Sequence, residues 1–76
     1  MNNIIGVIFK HKQTEVIRYF INYEKAVSYI INTSIYNDKN FIEVQLYLTR
    51  WNSLGSLEFD SNKPFYIYTK EMLLKE

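Results

Sequence analysis

Only one long stretch of this chain repeats its apolar residues at helical spacing, and β-branched and aromatic runs flank it on both sides. Tyr23, Ala26, Val27, Ile30 and Ile31 recur three and four residues apart as one stripe, while Glu24, Lys25, Ser28, Tyr29 and Asn32 fall opposite. Asn22 precedes the stripe as an N-cap, and Glu24 places negative charge where the helix dipole favours it. The turn-forming cluster Asn37-Asp38-Lys39-Asn40 predicts an end near Ile35. One helix between extended runs restricts the chain to an α+β arrangement. The helix covers one face of a sheet, and the other face has no helix to cover it.

Residues 4–10 and 14–21 predict an antiparallel hairpin closed by His11, Lys12 and Gln13. On the first strand Ile5, Val7 and Phe9 share one face and Ile4, Ile8 and Lys10 the other; two apolar faces predict a central position. On the second, Ile17, Tyr19 and Ile21 oppose Val16, Arg18 and Phe20, and Arg18 marks its face as the wetter one. Residues 41–50 alternate, with Ile42, Val44, Leu46 and Leu48 toward the core and Glu43, Gln45, Tyr47 and Thr49 toward water. Turns at 52–55 and 60–64 bracket a return strand at Leu57 and Phe59, before a strand over 65–69. Residues 70–76 predict one or two helical turns, with Met72, Leu73 and Leu74 closing an edge of the core. The expected fold is a single α+β domain over residues 1–76, an antiparallel sheet of four to five strands in the order ββαββ(β) with one amphipathic helix on one face.

Several function classes fall away on size and charge. A domain of this length buries only roughly 60% of the surface its unfolded chain exposes, so a deep active-site cleft is not expected. A formal net charge of +1 fits neither an acidic DNA mimic nor a strongly basic DNA binder. With no cysteine there is no disulfide framework or thiolate metal site, and stability rests on packing or self-association. The apolar run that begins at Ile4 stops at Lys10, short of a signal peptide or of the about 20 residues a membrane span needs. A soluble, cytoplasmic protein without a membrane partner is expected.

Side chains that do chemistry are scarce. His11, the one histidine, sits between Lys10 and Lys12 without a nucleophile beside it, and is read as a solvated turn residue. The functional alternative is a basic loop, Lys10-His11-Lys12, touching phosphate or an acidic protein surface. Glu43 and Glu58 are expected opposite each other on the exposed face, as solubilising residues rather than paired acids. Two glycines leave no phosphate loop, and no cofactor or metal site is predicted.

Side chains that make contacts are plentiful, with seven tyrosines and one tryptophan. Tyr23 and Tyr19 are assigned to the core. Tyr47, Tyr66 and Tyr68 are expected to project away from the helix, with Arg50 and Trp51 at the end of the same strand and Arg18 at the flank. Tyrosine, tryptophan and arginine are enriched where binding energy concentrates, which makes these six residues the candidate partner-binding set. The alternative is that the rings only cover the sheet as cross-strand pairs. A protein partner comes first, a second copy of the chain being one form of it. Nucleic acid comes second, because Glu43, Glu58 and Asp60 would repel phosphate beside rings able to stack on bases. An enzyme comes last, since it would need a site shared across an oligomer interface.

The hairpin running into Asn22-Tyr23-Glu24-Lys25-Ala26, a short helix and an alternating strand resembles small α+β proteins of phages and mobile elements, among them anti-CRISPR and other anti-defence inhibitors. The resemblance spans residues 4–48 and brings no functional residues with it. It implies a protein that binds and obstructs a host complex in the host cytoplasm rather than one that catalyses. Abundant Asn, Ile, Lys and Tyr, which A- and T-rich codons encode, fit a low-GC bacterium or its phages.

Overall fold

The computed structural model describes residues 3–75; Met1, Asn2 and Glu76, on which parts of the terminal expectations fall, lie outside them. The elements are β1 (Ile5–His11), β2 (Glu15–Phe20), α1 (Tyr23–Asn32), a 3-10 turn (Ile35–Asn37), β3 (Phe41–Trp51), β4 (Leu57–Phe59), β5 (Tyr66–Thr69) and α2 (Lys70–Leu74). All strand pairings are antiparallel: β2 with β1, β1 with β3, and β3 with both β4 and β5 along its far edge. This is the α+β architecture expected, with β1 central.

Residues directly opposite across an antiparallel pair project to the same face. Ile5, Val7 and Phe9 meet Phe20, Arg18 and Val16 on one side and Leu48, Leu46 and Val44 on the other. Tyr66 and Tyr68 extend the same face, opposite Leu46 and Val44. Here Ala26 and Ile30 of α1 and Leu73 of α2 pack, giving a core that also holds Phe41 and Tyr68. Val7, Ile30, Val44 and Leu46 are fully buried, each contributing about 1.5–3 kcal/mol from apolar burial.

Helix α1 begins as its sequence dictates, the Asn22 side chain accepting a hydrogen bond from the Lys25 amide at 2.8 Å. It ends at Asn32 rather than near Ile35, because Ser34 adopts a left-handed backbone with φ 55° that no helix continues through. Its buried stripe is turned relative to the expected one. Tyr29 packs inward, its ring 5.8 Å from Phe9 and 5.2 Å from Phe20, whereas Tyr23 is 46% exposed. Thr69 caps α2, and Leu73 and Met72 join the core while Leu74 points to solvent.

Three further expectations are corrected by register. Arg18 lies on the helix-covered face, its guanidinium 5.3 Å from the centre of the Tyr29 ring, so it does not mark the wetter side. Tyr19 is correspondingly on the open face and half-exposed. On β3 only Val44 and Leu46 of the alternating apolar set are buried. Pairing with β1 shifts after Lys10 meets Glu43, so that His11 meets Phe41; Ile42 is left unmatched as a bulge and turns outward, and Phe41 turns inward instead. Leu48 rims a hollow of about 480 Å³ with Ile5, Asn22 and Tyr23 and stays exposed.

Candidate interaction face

The side of the sheet away from both helices carries three cross-strand rows. Tyr19, Gly6 and Tyr47 form the first, Ile17, Ile8, Gln45 and Ile67 the second, and Glu15, Lys10, Glu43 and Thr69 the third. An aromatic end, an apolar middle and a charged end follow from the alternation of four strands brought into register.

Gly6 shapes the aromatic end. Having no side chain, it leaves room for the Phe59 ring, which stacks on Tyr47 with centroids 4.4 Å apart and planes at 9°, and meets Tyr19 edge-on at 6.1 Å. Phe59 is delivered there by β4, where it pairs with Thr49. Tyr47 is thereby 7% exposed although it lies on the uncovered face. Its hydroxyl donates to Gln45 Oε1 at 2.8 Å, and Gln45 Nε2 donates to Glu43 Oε2 at 2.6 Å, a polar chain running down β3. Burial first, and then the charges of Glu15 and Glu43, push the Tyr47 phenol above its ordinary range.

The six candidate binding residues are therefore not brought together. Tyr66 and Tyr68 project toward the helix side, not away from it. Tyr68 is buried in the core, and Tyr66 packs on it in a T-shaped pair with ring centroids 4.8 Å apart. They share a face, as strand alternation dictates, but the antiparallel register with β3 aligns them with Val44 and Leu46. Arg18 is on that same side. Trp51 stays exposed at the end of β3, opposite Leu57 and on the Tyr47 face. Gly6, Ile8, Phe59 and Ile67, which build the open face, are not among the candidate binding residues read from the sequence. A glycine inside a strand is the signal that announces such a close approach.

Arg50 faces the other way and is engaged. Its Nε donates to Glu58 Oε2 at 2.8 Å, its Nη2 lies 2.8 Å from the same oxygen, and its Nη1 lies 3.9 Å from Asp60. Glu58 thus pairs with Arg50 and not with Glu43, which belongs to the opposite face. A hydrogen bond from Asn52 Nδ2, followed by that from Arg50, holds the Glu58 carboxyl below its ordinary value. A carboxyl whose folded pKa is depressed stabilises the fold above its unfolded pKa, and that contribution is lost as pH falls through the folded one. Glu58→Gln is accordingly expected to lower the melting temperature slightly at about pH 7, with the gap to wild type closing by about pH 2. A constant gap across a pH series of melting curves would show that the carboxylate charge is irrelevant.

The basic loop is also dispersed. Lys10 pairs with Glu15 at 3.8 Å on the open face. His11 is not a solvated turn residue: its side chain is 15% exposed, with Nε2 3.6 Å from Asp38 Oδ2 and its ring set edge-on to Phe41, centroids 6.0 Å apart. Its Nδ1 is buried without a hydrogen-bond partner. Lys12 stands exposed at the hairpin tip.

Among the described residues no group of three His, Asp or Glu side chains could hold a metal ion, and no helix is long and apolar enough to cross a membrane. What the geometry defines is a class, an α+β domain with one helix-covered and one uncovered sheet face. Comparison with protein-family models, curated proteins and solved structures finds no match to the chain.

Proposed function

We propose that this chain is a non-enzymatic protein-binding module that docks through its open sheet face, in the manner of a phage-encoded inhibitor that obstructs a host defence complex by steric occlusion. The observation that carries the reading is the uncovered apolar middle of the sheet, Ile17, Ile8 and Ile67, flanked by the exposed rings of Tyr19 and Trp51. Exposed rows of this kind mark interaction sites on small monomers. The charges beside them favour protein over nucleic acid. Lys10 is bracketed by Glu15 and Glu43, while Arg50 and Arg18 lie on the other face, so among the described residues these cations form no groove along the rings. Inhibition of a defence complex rests on the resemblance of the hairpin and helix start to phage inhibitors.

Quantitative capture from a low-GC bacterial lysate tests this with three baits: wild type, an open-face variant Ile67→Glu and a helix-side surface variant Leu74→Glu. A partner held by wild type and Leu74→Glu but lost by at least tenfold with Ile67→Glu is expected. Equal capture by all three folded baits rules the face out. A gel shift that appears at low salt and collapses at moderate salt would instead favour nucleic acid.

A further inference from the structure

Beyond the open face, the two edges of the sheet differ in a way that bears on self-association. The β4/β5 edge is broken: its strands are three and four residues long, the segment between them contains Pro64, and β5 runs straight into α2. Short edge strands and proline are the usual means by which an edge is closed to further pairing. At the opposite edge β2 is six residues long and, among the described residues, pairs only with β1. It contains no proline or lysine, and no irregularity interrupts its register with β1. Val16, Ile17 and Tyr19 are half-exposed along it.

Register identifies which backbone groups are free. The His11 amide donates to the Thr14 carbonyl at 2.9 Å, so Thr14, and by alternation Val16, Arg18 and Phe20, direct their amides and carbonyls toward β1. Glu15, Ile17 and Tyr19 direct theirs outward.

We propose that a second copy of this chain pairs with that edge, β2 against β2 in antiparallel register about a two-fold axis at Ile17. Only pairings that oppose outward-directed residues form hydrogen bonds, so the axis passes through a residue of β2; on Glu15 it sets like charges against each other, and on Tyr19 or beyond it carries β2 across from α1, which leaves Val16, Ile17 and Arg18 as centres. A pairing centred on Arg18 sets arginine against arginine, while one that opposes Val16 to Val16 sends Tyr19 across from Gln13 in the hairpin loop. With Ile17 opposite Ile17, Glu15 lies opposite Tyr19 of the second copy, and all three outward-directed residues of each strand are used. No like charges are directly opposed, and each Glu15 carboxylate faces a tyrosine able to donate to it. Arg18 falls opposite Val16 on the helix side, where its own Tyr29 ring already holds the guanidinium. The two-fold keeps both open faces on one side of a continuous sheet, as an isologous dimer requires. A small cysteine-free domain gains stability by this route. The inference concerns an edge and stands whether or not the open face binds another protein.

Light scattering coupled to size exclusion, from about 1 µM to about 1 mM, is the primary test. Wild type is expected to pass from monomer to dimer. Ile17→Lys and Ile17→Glu, each placing like charges at the axis, are expected to remain monomeric, and an equimolar mixture of the two to recover the dimer mass. Ile17 is half-exposed, so both variants should fold. Amide exchange on unmodified protein gives a second reading that needs no variant: the Ile17 and Tyr19 amides should be protected at least tenfold more at the high concentration than at the low. Wild type that stays monomeric throughout overturns the proposal and leaves the edge to an extended peptide of another protein. A dimer that persists in Ile17→Lys, or a mixture that stays monomeric, overturns the axis.

Discussion

Tyr68→Ala is expected to remove a large share of the fold's stability, not merely to weaken a contact. The side chain is 8% exposed and lies in the core with Val44 and Leu73. Truncating a buried aromatic ring costs about 3–5 kcal/mol through lost transfer energy and the cavity left behind. A chain of this length has a total stability of roughly 4–11 kcal/mol, so the loss is a large share of the whole. The melting temperature should fall by more than about 12 °C. Trp51→Ala, by contrast, removes a ring that is 56% exposed at a strand end and should shift it by only a few degrees. Thermal melts of the two variants side by side decide the matter. Equal, small shifts would mean that β5 presents Tyr68 to solvent, and the register between β3 and β5 would be wrong.

The second large effect is a reversal of sign. At Gly6 an added Cβ would strike the Phe59 ring, with Cε1 too close to accommodate and Cδ1 at 3.0 Å. Gly6→Ala is therefore expected to cost about 1–3 kcal/mol in the wild-type background, as overpacking does. In a Phe59→Ala background the obstruction is gone, and alanine in a strand is favoured over glycine by roughly 0.5–1 kcal/mol. The same substitution should then stabilise. Denaturant melts of the four proteins of this cycle measure the coupling directly. Phe59→Ala also uncovers Tyr47, so the Tyr47 phenol should titrate closer to its ordinary range, since burial is the leading cause of its rise. Additive costs in the cycle would show that Phe59 does not rest on Gly6.

The two effects bear on the interaction face in opposite ways. Tyr68 was grouped with Tyr47 as a contact residue, yet it anchors the core beneath the helices. Phe59, read from the sequence only as part of a return strand, is the side chain that closes Tyr47 and leaves Tyr19, Ile17 and Ile67 to face solvent. Binding experiments built on Tyr47 or Tyr68 would therefore confuse folding with docking. Variants at Ile67 or Trp51 would not.

Much of this molecule is legible in its sequence. The hairpin, the Asn22 cap, the single amphipathic helix, the long third strand and the terminal helical turn all follow from local causes: period, propensity and capping act within a few residues. The helix ends earlier than its apolar stripe implies because Ser34 adopts a left-handed backbone that is not a serine preference. The burial of His11 is not legible locally, because it comes from Phe41 and Asp38, which the fold brings up from elsewhere in the chain.

What the sequence by itself determined is which residues share a face along each strand, because side-chain alternation is a property of one extended backbone. Which of the two faces lies under the helices was decided only by tertiary pairing, residue against residue between strands. That pairing put Arg18, Tyr66 and Tyr68 on the covered side, and it brought Phe59 over Gly6 to close Tyr47 on the open one. A period of two specifies phase within a strand and carries no information about the phase of its neighbour.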